Sequence, residues 1–296
     1  MIDMHMHTKN SDGDKTVEEI LSLCEEKKLS YISITDHDNC YAYRDLAKID
    51  IQDYYSGKII SGVEMTTSFE KKIIEILGYG VDPKVINSHA HKHHSPKVKE
   101  KMKIKRFNKL MRMCKKVGVK TTKNLQYKDK INMFPERLMY MDILKYKENI
   151  EILGEQGLKD FSAFYRKTLG NPNSKLFLNS AALHLSLKKV MGIIKKAKGL
   201  CFLAHPYIYD FDDYIAFLDR LFKKVKLDGI ECHYTKFTDD QTKEILAYAK
   251  SKGLYTSGGS DYHGSLKPEI KIGIGEGNLQ ISEKIIEPWI DKVSIY

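Results

Sequence analysis

The stretch Ile2-Asp3-Met4-His5-Met6-His7 opens the chain and alternates apolar with polar residues, which is the pattern of a β-strand. Side chains two residues apart in a strand point to the same face, so the imidazoles of His5 and His7 share one face. Two ligands of one metal ion need this arrangement. A lone pair of this kind is more often ordinary surface polarity, so the rest of the sequence has to decide between the two interpretations.

Short β-rich runs alternate with helical patterns on both sides of a Lys-rich segment. Thr16-Val17-Glu18-Glu19 is a capping box that predicts a helix start, and Thr238 begins a second cap of this kind. Residues 89–198 have weak β signals and helical periodicity along 102–117 and 138–152. We therefore predict an α/β protein in which residues 1–88 and 199–296 form one parallel barrel, and residues 89–198 are an inserted helical cap.

The composition is that of a globular protein with a substantial core. Of its 296 residues, 42% are hydrophobic and 30% are charged, which excludes disorder throughout. No apolar run reaches the ~18 residues needed to cross a bilayer. The first residues leave no room for a cleavable targeting segment. These features predict a cytoplasmic protein with no membrane partner.

Charge and cysteine usage narrow the class of site. The formal net charge of +10 favours anionic partners such as phosphate esters or nucleic acid. The five cysteines show no CxxC spacing, so neither a disulfide framework nor a thiolate zinc site is predicted. We expect buried or free thiols.

Metal-ligating residue types occur at the ends of five predicted strands, which is the face of a parallel barrel where active sites are built. Each of these positions alone has an ordinary explanation as a turn or a solvated strand end. Five separate strand ends that all carry ligand-type side chains are hard to attribute to chance. Imidazole and carboxylate without thiolate favour Zn²⁺, Mn²⁺ or Fe over a structural cysteine site. The residues are His5, His7, Asp12, His37, Glu64, His205, Asp261 and His263.

Six motifs, taken in chain order, resemble the PHP (polymerase and histidinol phosphatase) family. They lie at residues 3–7, 34–38, 62–64, 76–80, 204–206 and 259–264. The Ser-Asp-Tyr-His-Gly-x-x-Lys-Pro stretch at residues 260–268 is most similar to stand-alone phosphoesterases that act on nucleotides and short RNA. The resemblance implies a distorted (β/α)₇ barrel and two or three divalent metal ions.

The resemblance also implies a ligand set for each metal. One ion would be held by His5, His7, Glu64 and Asp261. A second would share Glu64 and take His205, and a third would take Asp12, His37 and His263.

Glu75 is a departure from the family pattern, because relatives place a histidine at this position as a ligand of the second metal. A carboxylate can bind the same ions, but its charge would lower the Lewis acidity of that metal. The site then survives with an altered metal preference, or it is weaker or empty. The histidine-rich run at residues 89–94 is a further source of the missing imidazole; its plainer interpretation is a solvated loop.

Two further residues are candidates for catalysis. His233 ends a predicted strand, from which it could contact a phosphate or protonate a leaving group. By resemblance to cap arginines that hold the substrate phosphate, Arg137 is expected to do the same. Basic residues around it steer an anionic substrate, or else form an ordinary solvated helix face. They include Lys97, Lys99, Lys101, Lys103, Lys105, Arg106, Lys128 and Lys130.

The predicted function is that of a metal-dependent phosphoric ester hydrolase. A metal-activated hydroxide would attack a phosphate monoester of a small molecule or nucleotide. Two alternatives stay open: a 5′-3′ exonuclease on short RNA or DNA, whose basic insertion tracks the backbone, and a non-catalytic metal-binding regulatory protein.

Overall fold

The computed structural model describes residues 1–94, 96–127, 133–179, 181, 184–209 and 211–296. Lys128 and Lys130 of the predicted basic run lie outside the described residues, as does the side chain of Lys99. Contacts divide the chain into two compact units, one formed by Met1–Ala90 with His184–Tyr296 and one by His91–Leu183.

Two sheets carry the strands of the first unit. Their bounds are β1 Ile2–Met6, β2 Tyr31–Ile34, β3 Lys58–Ile59, β4 Gly62–Phe69, β5 Lys72–Tyr79, β6 Leu185–Ser186, β7 Leu200–Leu203, β8 Gly229–Tyr234 and β9 Tyr255–Gly259. Strands β1, β2 and β3 form a parallel three-stranded sheet in that order. The second sheet has the order β6-β4-β5-β7-β8-β9.

The second sheet is mixed. Strand β5 runs antiparallel to both β4 and β7, whereas the remaining strand pairs of this sheet are parallel. The α/β class is confirmed, but the prediction that all strands run parallel is wrong. Only Glu70 and Lys71 separate β4 from β5, and both have positive φ, at 48° and 65°. Two residues suffice for a hairpin, whereas a parallel crossover needs a dozen or more.

Helices follow or flank most of the strands. Their bounds are α1 Val17–Glu26, α2 Ala42–Leu46, α3 Pro83–His94, α4 Pro96–Val117, α5 Pro135–Ile143, α6 Asn149–Leu153, α7 Glu155–Leu158, α8 Phe161–Ala163 with a π-helical continuation at Phe164–Leu169, α9 Leu187–Lys196, α10 Tyr214–Lys224, α11 Asp239–Lys252 and α12 Glu287–Ile290. Both predicted capping boxes are confirmed, at Thr16 with Glu19 and at Thr238 with Gln241.

The second unit has its own apolar core, which includes Phe107 and Leu110 of α4 and Met139 of α5. The periodicity predicted along residues 138–152 is divided between α5 and α6. The buried amide of Asn149 explains the break, because its Nδ2 donates to the Ile143 carbonyl at 2.9 Å and occupies an acceptor at the end of α5.

Strand β6 and helix α9 pack with the first unit, although the sequence prediction placed them in the insertion. Leu187, Val190 and Ile194 of α9 are buried in the same core as β4 and β5. An apolar stripe on one face of a helix is sufficient to bind it to a sheet in this way. All five cysteines are free and buried, as predicted. Within the described ranges, no helix combines the length and hydropathy required to cross a bilayer.

The start of the chain is held against the end of β9. The Asp261 amide donates to the His5 carbonyl at 2.8 Å, and the His7 amide donates to the Tyr262 carbonyl at 2.9 Å. This approach requires Gly259, because a Cβ there would lie 2.4 Å from the backbone nitrogen of His5. The glycine thus sets how closely β1 and β9 approach each other.

We predict that Gly259→Ala lowers the free energy of unfolding by about 1–3 kcal/mol, because the added methyl forces β1 away from β9. Gly192→Ala is the matched control: on α9 its Cβ would meet nothing within 4 Å, and alanine favours the helix by up to about 1 kcal/mol. Denaturant unfolding measures both variants. A Gly259→Ala protein that unfolds at the wild-type midpoint would contradict the packing argument.

Candidate metal centre

The first cluster of the site lies where β1 meets the start of β4 and the loop after β9. His5 Nε2 and His7 Nε2 are each 3.3 Å from Glu64 Oε2. They lie 3.6 and 3.2 Å from Asp261 Oδ1. All four side chains are buried. One carboxylate oxygen from each acid and one nitrogen from each histidine thus surround a single point.

The spacing fits metal ligation rather than hydrogen bonding. His5 Nε2 and His7 Nε2 are buried and make no hydrogen bond, a costly state for polar atoms without another partner. Two ligands that are each about 2.1 Å from one ion lie about 3.0–3.5 Å apart. Three of the four separations lie in this range and the fourth, between His5 Nε2 and Asp261 Oδ1, is 3.6 Å, so the donors present fit a divalent metal.

A second cluster forms on the other side of the Glu64 carboxylate, with contacts to both of its oxygens. Glu64 Oε1 is 2.9 Å from His205 Nε2, and Glu75 Oε2 is 3.5 Å from the same nitrogen. His37 Nδ1 lies 3.2 Å from Glu64 Oε2 and 3.9 Å from Glu75 Oε1. Glu64 therefore bridges the two clusters, and the side chain of Glu75 points into the second.

The third cluster forms around Asp12, whose side chain is half exposed. Asp12 Oδ2 lies 3.3 Å from His263 Nε2 and 3.5 Å from His37 Nε2, and Asp12 Oδ1 lies 3.6 Å from His7 Nδ1. His263 Nδ1 donates to the Asp261 carbonyl at 2.8 Å, which leaves its Nε2 lone pair directed at the cluster.

All nine predicted ligands are brought together by the structure, and their role as ligands stays a prediction. The grouping differs from the expected one at His37, whose two ring nitrogens face the second and third clusters. His89, His91 and His93 lie on α3, not in the loop considered from the sequence, and belong to none of the three clusters.

Burial and mutual charge set the protonation of the two neighbouring glutamates. Burial and the negative charge of Glu64 raise the pKa of Glu75 to about 6. Burial also opposes ionisation of Glu64, but the charges of His5 and His37 outweigh it and hold the pKa of Glu64 well below its usual range. The two glutamates therefore differ: Glu64 stays ionised, whereas Glu75 takes up a proton more readily than an ordinary glutamate.

Glu231 is a functional candidate that the sequence analysis missed. It is fully buried on β8; its Oε1 accepts from His5 Nδ1 at 3.0 Å and its Oε2 from the His205 amide at 2.8 Å. A carboxylate behind a histidine fixes which ring nitrogen is free to bind a metal. The signal available in the sequence was an acidic residue between the apolar Ile230 and Cys232 of a predicted strand.

Two further buried carboxylates hold the loops that carry the ligands. Asp3 accepts from the amides of Ser260 and Gly273 at 2.9 and 2.8 Å. Asp36 accepts from the Thr8 amide at 2.8 Å and from the Ser11 hydroxyl at 2.6 Å. Both acids therefore position ligands without facing the clusters themselves.

His233 does not line the cleft beside the clusters, because β8 has a bulge between Glu231 and His233. The bulge directs Tyr234 to the site instead, where its hydroxyl donates to Asp261 Oδ2 at 2.9 Å. Burial lowers the pKa of His233. The proposed acid role of His233 has no contact with the clusters to support it.

Arg137 lies on α5 in the second unit, where its guanidinium is 5.4 Å from the centre of the Phe161 ring. This cation–π contact occupies one face of the guanidinium. Its predicted role in holding the substrate phosphate stays a prediction.

The cleft has a volume of about 450 Å³ and contains one residue or more from each of the three clusters. Its lining residues are Asp12, His37, Glu64, Glu75, His205, Ile208, Tyr234, Lys236, Asp261, His263, Leu266 and Lys267. This volume lies within the range of small-molecule sites.

We predict that Glu231→Ala lowers metal affinity by about 10–100-fold, because His5 loses the carboxylate that orients it. Glu231→Gln keeps the size of the side chain and separates the effect of charge from that of packing. The exposed Glu276→Ala is the control and should bind metal like wild type. Calorimetric metal titration of all three variants is the measurement; wild-type affinity in Glu231→Ala would contradict the role.

Comparison with known proteins agrees with this geometry. Residues 3–168 match the model of the PHP domain. The chain is 24% identical over 269 residues to the 3′,5′-nucleoside bisphosphate phosphatase of Chromobacterium violaceum, covering 88% of this chain and 87% of the relative. It is 22% identical over 277 residues to the 5′-3′ exoribonuclease Rnm of Escherichia coli, covering 88% and 84%.

A solved structure shares the fold. It is that of a protein from Bifidobacterium adolescentis described as a metal-dependent phosphoesterase, with a TM-score of 0.61, 20% identity and coverage of 99% of this chain and 96% of that one. His205, Asp261 and His263 lie beyond the residues that the family model matches, yet the fold brings them to the ligands within it. Because the matched residues make up more than half of the sequence, the chain belongs to the PHP domain family.

Proposed function

We propose that this protein is a metal-dependent phosphoesterase that hydrolyses a phosphate monoester of a nucleotide or another small molecule. The observation that carries the proposal is the set of buried imidazole nitrogens without hydrogen bonds, 3.2–3.6 Å from the carboxylate oxygens of Glu64 and Asp261. Such a set fits several divalent ions beside an open cleft.

The named activities of the relatives support the same class of reaction. A nucleoside bisphosphate phosphatase and an exoribonuclease both break phosphoester bonds. They agree with the phosphoric ester hydrolase predicted from the sequence. The cleft volume of about 450 Å³ favours a small phosphorylated molecule as the main substrate.

The three clusters assign a part to each ligand. His5, His7, Glu64 and Asp261 would hold one ion, and Glu64, Glu75, His205 and His37 would hold a second. A third ion would be held by Asp12, His263 and the other ring nitrogen of His37. Divalent ions such as Mn²⁺, Zn²⁺ or Fe²⁺ would supply Lewis acidity and a nucleophilic water.

The chain itself orients these donors. Asp261 Oδ2 accepts from Tyr234 Oη at 2.9 Å and from Lys267 Nζ at 2.7 Å, so Oδ1 is the oxygen directed at the first cluster. Glu231 sets the orientation of His5 in the same way. Preorganised donors of this kind reduce the cost of ordering the site when substrate binds.

The proposal includes the distorted barrel expected of the family. Isolated bridges join Met6 to Tyr262 and His37 to Glu64, and they link the three-stranded sheet to the six-stranded sheet at two places. The first bridge links the edge strand β1 to the loop after the edge strand β9, and such a link supports closure of the two sheets into one barrel. The cap role of residues 89–198 stays a prediction from the sequence.

One observation favours the exonuclease as a second candidate. Five cationic residues on α4, namely Lys97, Lys101, Lys105, Arg112 and Lys116, are exposed and spaced by four or seven residues, so they share one helix face about 29 Å long. None makes a salt bridge with another residue in the described part of the chain. A row of cations can neutralise successive RNA phosphates, and RNA cleavage that falls steeply with salt would favour this candidate.

The function is tested by removing metal with a chelator, restoring Mn²⁺, Zn²⁺ or Fe²⁺, and assaying adenosine 3′,5′-bisphosphate, adenosine 5′-monophosphate and a short 5′-phosphorylated RNA. We predict that replacing His5 and His7 by alanine lowers metal content and reduces hydrolysis by about 1,000-fold or more. His91→Ala with His93→Ala is the matched control, an exposed pair at the same spacing on α3.

Full metal content and full activity in the variant that lacks His5 and His7 would contradict the proposal. Full metal content without hydrolysis of any of these phosphoesters by the wild-type protein would favour the non-catalytic metal-binding alternative.

Glu75 is the proposed ligand that departs from the family pattern. Glu75→Ala should remove a ligand of the second cluster, lowering metal stoichiometry by about one ion and the rate by about 100-fold. Glu75→His should keep the metal bound, hold or raise activity, and shift preference towards Zn²⁺, because imidazole suits Zn²⁺ better than Mn²⁺. Metal analysis with steady-state kinetics measures both. Glu75→Ala with wild-type stoichiometry and turnover would show that Glu75 is not a ligand.

A further inference from the structure

Two side chains of the cleft donate to the same oxygen of Asp261. The hydroxyl of Tyr234, at the end of β8, donates to Asp261 Oδ2 at 2.9 Å, and the ammonium of Lys267, in the loop after β9, donates to it at 2.7 Å. Both residues line the cleft. The other oxygen, Oδ1, faces the first cluster. A single carboxylate therefore separates Lys267 from the proposed ligands His5 and His7.

The two donors differ in what they leave unused. The Tyr234 hydroxyl has one proton, which it gives to Asp261, and the residue is 4% exposed. The Lys267 ammonium has three N–H donors, and its side chain is 31% exposed. In the part of the chain that the structure describes, Asp261 is the one hydrogen-bond or ion-pair partner of this ammonium. Two donors of Lys267 are therefore available to a molecule bound in the cleft.

The loop that carries Lys267 is fixed to the loop after β1. Asp14 Oδ2 accepts from the Ser265 amide at 2.9 Å. Gly264 has a φ of 70°, and a Cβ on it would lie 1.7 Å from Asp14 Oδ1. Lys267 closes the turn, because its amide donates to the Gly264 carbonyl at 3.2 Å. The backbone of Lys267 is thus held in place, and its side chain reaches Asp261 from a defined position.

A positioning role alone does not require the charge of Lys267. Tyr234 supplies a hydrogen bond to the same oxygen without a charge, and a cation beside a centre for divalent ions is repelled by those ions. The repulsion is offset when an anion joins the centre, and a phosphate group in the cleft is such an anion. An ammonium beside a phosphoryl group stabilises the charge on its oxygens.

We infer that Lys267 contacts the phosphate group of the substrate, donating to one of its oxygens while it keeps its hydrogen bond to Asp261. This inference rests on the proposed function and adds to it a catalytic residue of the first unit. Lys236, the other lysine that lines the cleft, is exposed, and no contact holds it against a proposed ligand among the residues that the structure describes. Lys267 is the cleft lysine that a contact fixes beside the clusters.

The test separates the charge of Lys267 from its hydrogen bond. Lys267→Gln keeps a donor for Asp261 and removes the charge, whereas Lys267→Arg keeps both. On the metal-loaded protein, with the phosphoester that the wild type hydrolyses fastest, Lys267→Gln should lower kcat/KM by about 100-fold. Lys267→Arg should lower it less, and both variants should keep the wild-type metal content. Lys250→Gln, which changes an exposed lysine on α11, is the control.

Binding of inorganic phosphate to the metal-loaded protein, measured by calorimetry, is a readout that needs no turnover. Lys267→Gln should weaken phosphate binding by about 10-fold, because a charge-assisted hydrogen bond is lost. Tyr234→Phe removes the neutral donor to the same oxygen of Asp261. It should lower metal affinity by about 10-fold and leave phosphate affinity at saturating metal unchanged.

Phosphate affinity at the wild-type level in Lys267→Gln would overturn the inference whatever the effect on turnover, because Lys267 would then only position Asp261. A metal-loaded wild-type protein that binds no phosphate would overturn it as well. If the wild type binds phosphate but hydrolyses none of the phosphoesters, the proposed function fails. The phosphate affinities of Lys267→Gln and Lys250→Gln then decide the contact by themselves: weaker binding to Lys267→Gln supports it, and equal binding overturns it.

Discussion

The carboxylate of Glu64 is the group on which the rest of the site depends. It is almost fully buried at the start of β4, and its two oxygens lie within 3.3 Å of nitrogens from His5, His7, His37 and His205. An ionised carboxylate without compensation is very unfavourable at such a position. The strands that bring imidazoles to Glu64 are therefore constrained to meet there, and the fold is organised around that meeting point.

A second layer of buried acids makes this concentration of donors possible. Glu231 orients His5, while Asp3 and Asp36 accept backbone amides and hydroxyls from the loops that carry other ligands. The bond to Glu231 restricts the imidazole of His5 to one orientation, and the bonds to Asp3 and Asp36 fix the loops that carry other ligands. A metal ion must compete with protons for the same nitrogens, so metal binding and protonation are coupled at this centre.

The cleft is lined on one side by the proposed metal ligands and on the other by residues that are not ligands. The ligand side is built by side chains that leave strand ends under strain: His205 and Asp261 both have positive φ, at 20° and 57°. Conformations of this kind persist only where the surrounding structure enforces them. The opposite side consists of Ile208, Lys236 and Leu266, which are exposed; the Ile208 amide donates to the carbonyl of the proposed ligand His205 at 3.2 Å.

The sequence by itself determined the α/β class, the two capped helices, the family and the nine residues that converge, because these are local properties: periodicity, caps and motifs at strand ends. The tertiary structure alone decided which groups share a cluster. Contacts between residues far apart in the chain set the antiparallel direction of β5 and the position of Glu231 behind His5. They also direct the two ring nitrogens of His37 to two different clusters. The bulge in β8 likewise turned Tyr234, rather than His233, towards the site. Local pattern gives the residue type at each strand end, but only packing sets the distance and direction between two side chains.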